Sequence, residues 1–452
     1  MKPTILLPSA SLLAFGASAH ALEIPHEQYQ LDNGLNVILH KDTSLPQVVI
    51  NIWYNVGSKD EQPGRSGFAH LFEHLMFMGT TRLPGSGFDD LMESHGGWNN
   101  AWTSEDATDY YSVGPSNLTR TFLWMEADRM EGLGKAMTTD KLNIQRGVVR
   151  NERRQTHEDQ PYGGVWLELP RVLYPEGHPY AHSVIGSHED LQAATLEDVI
   201  SFFDTWYVPS NASLVVAGDF DEQQVKEDIQ TMFGAIPPFS GMIGKVETED
   251  VDTPVQPLTE LTDQVQIPLT VMAWHTPASL QPGDADLDLV AAILADGRAS
   301  RLYNRLVHTD QTALEVSATQ WSQHLSSVFI IEGKPTPEHT IEEMEATIME
   351  ELTRLAEEGP TDEELERAKN QTSMSFLRNL ENLRSRASIL NRYHVLTGEP
   401  DYLEKDLERY RVATKQSVQA AAATLNTERL ATLRVRPEPT PTEETKPVEN
   451  TP

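Results

Sequence analysis

The chain has no cysteine among its 452 residues. Disulfides and thiolate metal sites are therefore excluded, and any metal must be held by His, Asp or Glu. Basic residues are scarce: 35 Lys and Arg stand against 68 Asp and Glu, a formal net charge of −33. Such a surface is a poor partner for nucleic acid. The acidic residues are spread along the chain, which reads as solvation and not as a binding signal. Hydrophobic residues make up 39% and aromatics 7%, enough for folded cores and too much for a disordered chain.

Long apolar runs are also missing, apart from the start, so no membrane span is expected. Residues 5–15 are mostly apolar, follow Lys2 and precede Ala19-His20-Ala21. A positive start, a short apolar centre and a small-x-small triplet predict a secretory signal peptide, residues 1–21, cut after Ala21. The expected location is then the periplasm.

The length predicts two domains. Residues 237–258 are Pro-containing and aperiodic and read as a linker. Residues 437–452 are almost free of apolar side chains and read as a disordered tail. The remainder divides into 22–236 and 259–436, each with alternating strand patterns and amphipathic helix patterns in similar order. Strands are expected near 35–40, 48–56, 109–113 and 213–217, and again near 264–274, 316–321, 327–332 and 429–435. A single long helix is expected from 362 towards 395. The fold class expected is α+β, two tandem, similar α/β sandwich domains.

The segment Gly67-Phe-Ala-His70-Leu-Phe-Glu73-His74 carries the chemistry. On a helix, His70 and His74 are one turn apart on the same face, a spacing that suits two ligands of one ion. Glu73 lies beside that face without filling a coordination position. H-x-x-E-H is the inverted form of the H-E-x-x-H zinc-peptidase pattern. Zinc lowers the pKa of a bound water and polarises a carbonyl, and a nearby carboxylate serves as general base. A catalytic zinc keeps three protein ligands and an open position, so a third ligand is required elsewhere.

Downstream, Val148-Val-Arg-Asn-Glu152-Arg-Arg154 makes the chain resemble the pitrilysin/insulinase family of inverzincin metallopeptidases, especially its short-chain, processing-peptidase-like members. The resemblance implies that Glu152, 78 residues after His74, is the third ligand of one Zn2+ per chain. It implies a metalloendopeptidase acting on peptides or unfolded segments, with Glu73 as base. Gly97-Trp-Asn-Asn100-Ala101-Trp-Thr103 resembles the family's edge strand that pairs with substrate, which makes Asn100 and Ala101 substrate-binding candidates. Glu126–Met130 and Tyr207–Ala212 also match family segments and read as fold-forming.

Two departures stand out. Gln145 replaces a Glu that many relatives carry seven residues before the ligand, and Gln cannot act as a base. No Arg/Tyr pair is evident in 312–332 to hold substrate opposite the metal; Arg298, Arg301 and Tyr303 read as structural. The resemblance therefore implies a second subunit completing a clam-like chamber, either another family chain (a heterodimer) or a copy of this one (a homodimer). His95, His157, His178, His182 and His188 are read as surface or turn residues. A non-catalytic, peptide-binding subunit of the same fold is the alternative function. An acidic cation-binding scaffold ranks last, because no D-x-[DN]-x-[DN]-G loop is present.

Overall fold

A computed structural model describes residues 22–244 and 246–439. The expected signal peptide and residues 440–452 of the expected tail lie outside the described residues. The first part of the chain runs β1 (Glu27–Gln30), β2 (Asn36–Lys41), β3 (Gln47–Tyr54), α1 (Phe68–Leu75), α2 (Gly87–Glu93), β4 (Trp98–Thr103) and β5 (Thr108–Pro115). It continues through α3 (Thr119–Ala136), α4 (Thr139–Arg153), α5 (Gly164–Leu173), α6 (His188–Ala193), α7 (Leu196–Trp206), β6 (Ala212–Gly218) and α8 (Glu222–Met232). After an irregular stretch come β7 (Leu258–Asp263), β8 (Leu269–Thr276), α9 (Asp284–Ala295), β9 (Ala313–Trp321) and β10 (Ser327–Pro335). The chain closes with α10 (Ile341–Glu358), α11 (Asp362–Glu381), α12 (Leu383–Thr397), α13 (Leu403–Val412), α14 (Lys415–Thr424) and β11 (Ala431–Pro437).

The strands form two mixed sheets, ordered β1-β2-β6-β3-β5-β4 and β7-β11-β8-β10-β9. In each, one parallel pair (β2/β6, β7/β11) is followed by three antiparallel pairs. The second sheet thus repeats the last five strands of the first, with β4 and β9 as corresponding free edges. The architecture is the expected pair of similar α/β sandwiches.

Both sheets are buried on both faces, and the helices that bury them are exchanged. On the first sheet, Val37, Val48, Ile50 and Leu214 face α1, α3, α7 and α8. Their alternates Ile38, Val49 and Val215 face Ala387, Leu390 and Tyr393 of α12. On the second sheet, Met272, Trp274 and Phe329 face α9, α10 and α14. Leu269, Val271 and Leu433 face Val165, Leu169 and Val172 of α5. Each part of the chain therefore lends one helix to the other's sheet. Every large side chain so buried contributes about 1.5–3 kcal/mol, which ties the two parts together. Asn391 fixes the seat of α12, donating from Nδ2 to Asn51 Oδ1 at 2.6 Å inside the core.

Several elements differ from expectation. The helix expected from 362 towards 395 breaks at Asn382, whose side chain accepts from Arg384 N and Ser385 N and so caps a new helix. The strand expected at 264–274 starts at Leu269, and a separate strand, β7, precedes it. The helix α5, not among the expected elements, is capped by Gly163, starts at Gly164 and contains Pro170; packing on the distant sheet offsets those weak helix formers.

Candidate metal centre

The helix α1 is amphipathic over only eight residues: Phe68, Ala69, Leu71, Phe72 and Leu75 are buried. His70, Glu73 and His74 occupy its remaining face. Its start is built tightly. Gly67 has φ +88°, and a Cβ there would lie 2.8 Å from the carbonyl oxygen of Ile185, so only glycine fits. The buried Glu61 carboxylate accepts from Gly67 N (2.9 Å) and Ala69 N (2.7 Å), satisfying two amides of the first turn. Burial pushes that carboxyl well above the ordinary range.

Helix α4 brings the third side chain. Leu142 and Val149 anchor it in the core. Arg146 donates to the Leu191 carbonyl (2.8 Å), and Arg150 Nη1 reaches Gln192 (2.6 Å). Glu152 then faces α1, with Oε2 3.1 Å from His74 Nε2 and Oε1 3.8 Å from His70 Nε2. The three donor atoms lie within 4.8 Å of one another, and among the described residues this is the one such cluster.

This donor set fits zinc. Ligands about 2.0–2.1 Å from a tetrahedral ion lie roughly 3.3–3.4 Å apart, between the two measured distances. Two imidazole nitrogens and a carboxylate oxygen match the ligands that zinc takes. Burial first, then His74, lowers the His70 pKa to about 4. The ring is thus neutral, the form that ligates. The His74 hydrogen bond lowers the Glu152 pKa and keeps it ionised. His70 Nε2 is the nitrogen turned to Glu152, while Nδ1 is buried with no hydrogen-bond partner among the described residues.

Glu73 sits beside this set and is mostly buried. Thr103 Oγ1, at the end of edge strand β4, donates to Glu73 Oε2 at 2.5 Å. Burial raises the Glu73 pKa, while Thr103 pulls it back. Gln145 does not join the cluster; its Nε2 lies 2.7 Å from Met78 Sδ. Asn100 and Ala101 lie on β4, whose other side pairs with no strand among the described residues. A cavity of about 470 Å³ opens beside His70 and Glu152, walled mainly by Trp166, Leu169, Tyr174 and Tyr180.

Sequence reasoning missed Thr103, because its contact with α1 spans 30 residues. It also set aside His157, which lines the cavity beside Glu152. His178 is buried and stacked on Tyr174, with centroids 4.3 Å apart, and is not a surface residue. Arg301 is structural as read: it donates to Glu364 at 2.8 Å through both Nε and Nη2.

Comparison with known proteins places the chain in a family. A family model described as Insulinase (Peptidase family M16) matches residues 36–162, and one described as Peptidase M16 inactive domain matches 193–372. The chain belongs to the insulinase family, peptidase family M16. Within it, the chain is similar to the zinc protease PqqE of Helicobacter pylori, 29% identical over 90% of this chain and 93% of that one. A crystal structure of a protease from Helicobacter pylori has a TM-score of 0.85 at 25% identity, covering 92% of this chain and all of that one. The periplasmic protease PqqL from Escherichia coli shares the fold, with a TM-score of 0.74 at 20% identity. There the M16 chain is 91% covered and PqqL only 47%.

Proposed function

We propose that this M16 chain is a zinc-dependent endopeptidase that hydrolyses peptides or unfolded segments. The observation that carries the reading is the convergence of His70, His74 and Glu152 with Glu73 held beside them. Bound zinc would polarise the scissile carbonyl and lower the pKa of a water. Thr103 occupies Glu73 Oε2, leaving Oε1 to take a proton from the attacking water and return it to the leaving amine. The unpaired edge of β4 offers backbone N–H and C=O groups at Asn100 and Ala101 to any extended peptide. The cavity beside the ligands, with Trp166, Leu169 and Tyr174 in its walls, has room for a side chain of that segment.

A second subunit, identical or related, completes the chamber in this reading. The single PqqL chain is about twice as long as the part this chain matches, which supports such pairing. Periplasmic location, with the signal peptide cut after Ala21, and the division into 22–236, a 237–258 linker and 259–436 belong to the same proposal. The alternative is a non-catalytic peptide-binding subunit; the inactive-domain match covers residues 193–372 and not the segment that carries His70, Glu73, His74 and Glu152.

The deciding experiment measures zinc content and cleavage of a quenched-fluorescence peptide for the parent and Glu73→Gln. One zinc per chain in both, with cleavage reduced roughly 10²–10⁴-fold in the variant, is expected. Equal cleavage by the two would remove Glu73 as the base. Zinc binding with no cleavage by the parent, alone or paired, would favour the alternative.

A further inference from the structure

A second cavity, about 420 Å³, lies between α12 and the end of β4. Trp53, Trp102 and Ser104 line one side, and Arg384, Ser388 and Arg392 the other. It adjoins the cavity at the metal cluster, since Ser104 and Gln323 belong to the walls of both.

The charge in this second cavity is unusual for a chain at −33. Arg384 and Arg392 are eight residues apart on α12, so their Cα atoms are about 12 Å apart along the axis. Among the described residues neither guanidinium has a carboxylate or hydrogen-bond partner; that of Arg384 lies 4.9 Å from the Tyr111 ring centroid. Other arginines of the same part of the chain are paired: Arg386 with Asp42, and Arg409 with Asp284 and Asp406. The one carboxylate lining the cavity, Asp106, is already engaged. It accepts from Tyr180 Oη (2.6 Å) and His324 N (2.9 Å), and lies 3.8 Å from Lys59 Nζ. Neither guanidinium is ion-paired, although Arg392 also borders a neighbouring cavity lined by Asp284, Asp288 and Asp406, and a single guanidinium presents the fork that a carboxylate's two oxygens fit.

We propose that this cavity binds a carboxylate of the peptide lying on β4. The inference rests on the endopeptidase reading. An extended peptide paired with β4 and presented to Glu73 passes Thr103 and reaches Ser104, the shared wall. Beyond it, Arg384 and Arg392 take either the C-terminal carboxylate or an acidic side chain. The overall negative charge repels acidic peptides at long range, and the pair supplies the local attraction that admits them in one register.

The test uses the full chain with three decapeptides: a neutral amidated one, the same with a free C-terminal carboxylate, and the amidated one bearing a single Asp. Binding is followed by fluorescence anisotropy on the Glu73→Gln protein, and cleavage on the parent. At least one carboxylate peptide should bind and be cleaved roughly tenfold better than the neutral amide. The second and third peptides distinguish terminal from side-chain recognition. Arg384→Gln and, separately, the exposed Arg392→Gln should shrink that ratio several-fold. The ratio is taken within each variant, so a general loss of folded protein cancels. Equal binding of all three peptides, or a ratio unchanged in both variants, overturns the proposal. A carboxylate preference in binding without any cleavage would keep the cavity and sink the endopeptidase reading. Cleavage without preference would do the reverse.

Discussion

Replacing Arg129 by methionine should cost the first sandwich about 3–5 kcal/mol, the usual loss when one partner of a buried ion pair is removed. Arg129 and Glu126 are almost fully enclosed, with side chains 3% and 1% exposed. Arg129 Nε and Nη2 both lie 2.6 Å from Glu126 Oε2, and Ser112 Oγ donates to Oε1 at 3.0 Å. The guanidinium is stacked against Tyr110, Phe88 and Phe77, 4.6, 4.8 and 5.5 Å from their centroids. Methionine fills much of the volume but leaves the Glu126 charge with one hydrogen bond. Glu126→Gln leaves the guanidinium unneutralised and should cost a similar amount. The double variant removes both charges, so it should cost at least ~2 kcal/mol less than the sum of the singles. The losses are large against a stability of about 5–15 kcal/mol. They are measured from the first transition in urea, by circular dichroism, with chelator present so that zinc binding does not contribute. Singles costing under ~1 kcal/mol, or strictly additive effects, would mean the pair is not closed off from water as described.

Three other outcomes test the site and its surroundings. Thr103→Val should lower kcat roughly 10–100-fold, the worth of one hydrogen bond to a charged group, while zinc content holds and Thr103→Ser recovers most of the loss. Glu152→Ala should weaken zinc retention by at least ~100-fold, read by competition with a fluorescent chelator, because two ligands remain where zinc requires three. Burial, then the neighbouring Asp284 and Asp406, raise the Asp288 pKa from 3.8 to about 7. The folded chain thus holds that proton more tightly than the unfolded one, and the associated stability is present below pH 4 and lost as pH rises through 7. Asp288→Asn keeps an oxygen for Tyr410 Oη, which donates at 2.7 Å. Its melting temperature should exceed the parent's at pH 8 and match it at pH 4.

Local chemistry was legible where the responsible contacts are short in sequence. The helix α10 follows its apolar spacing and its Thr340/Glu343 capping box. His70 and His74 share a face because the helix repeat alone puts them there. Asn382 carried a legible signal too: a side chain that accepts amide protons favours starting a helix over continuing one. The exchange of α5 and α12 was not legible, because a helix's apolar stripe says that it is covered and not by which sheet.

By itself, the sequence determined the two sandwich patterns, the absence of thiolate ligands and the His70/Glu73/His74 face of one helix, all consequences of spacing and side-chain type. The resemblance to a family, not spacing, pointed to Glu152. Only the tertiary structure decided that Glu152 reaches both imidazoles, that Thr103 donates to Glu73, and that Arg384 and Arg392 stand beside the same edge strand. Those contacts join residues from separate elements, and their distances depend on how helices seat on sheets, a packing outcome that no local pattern encodes.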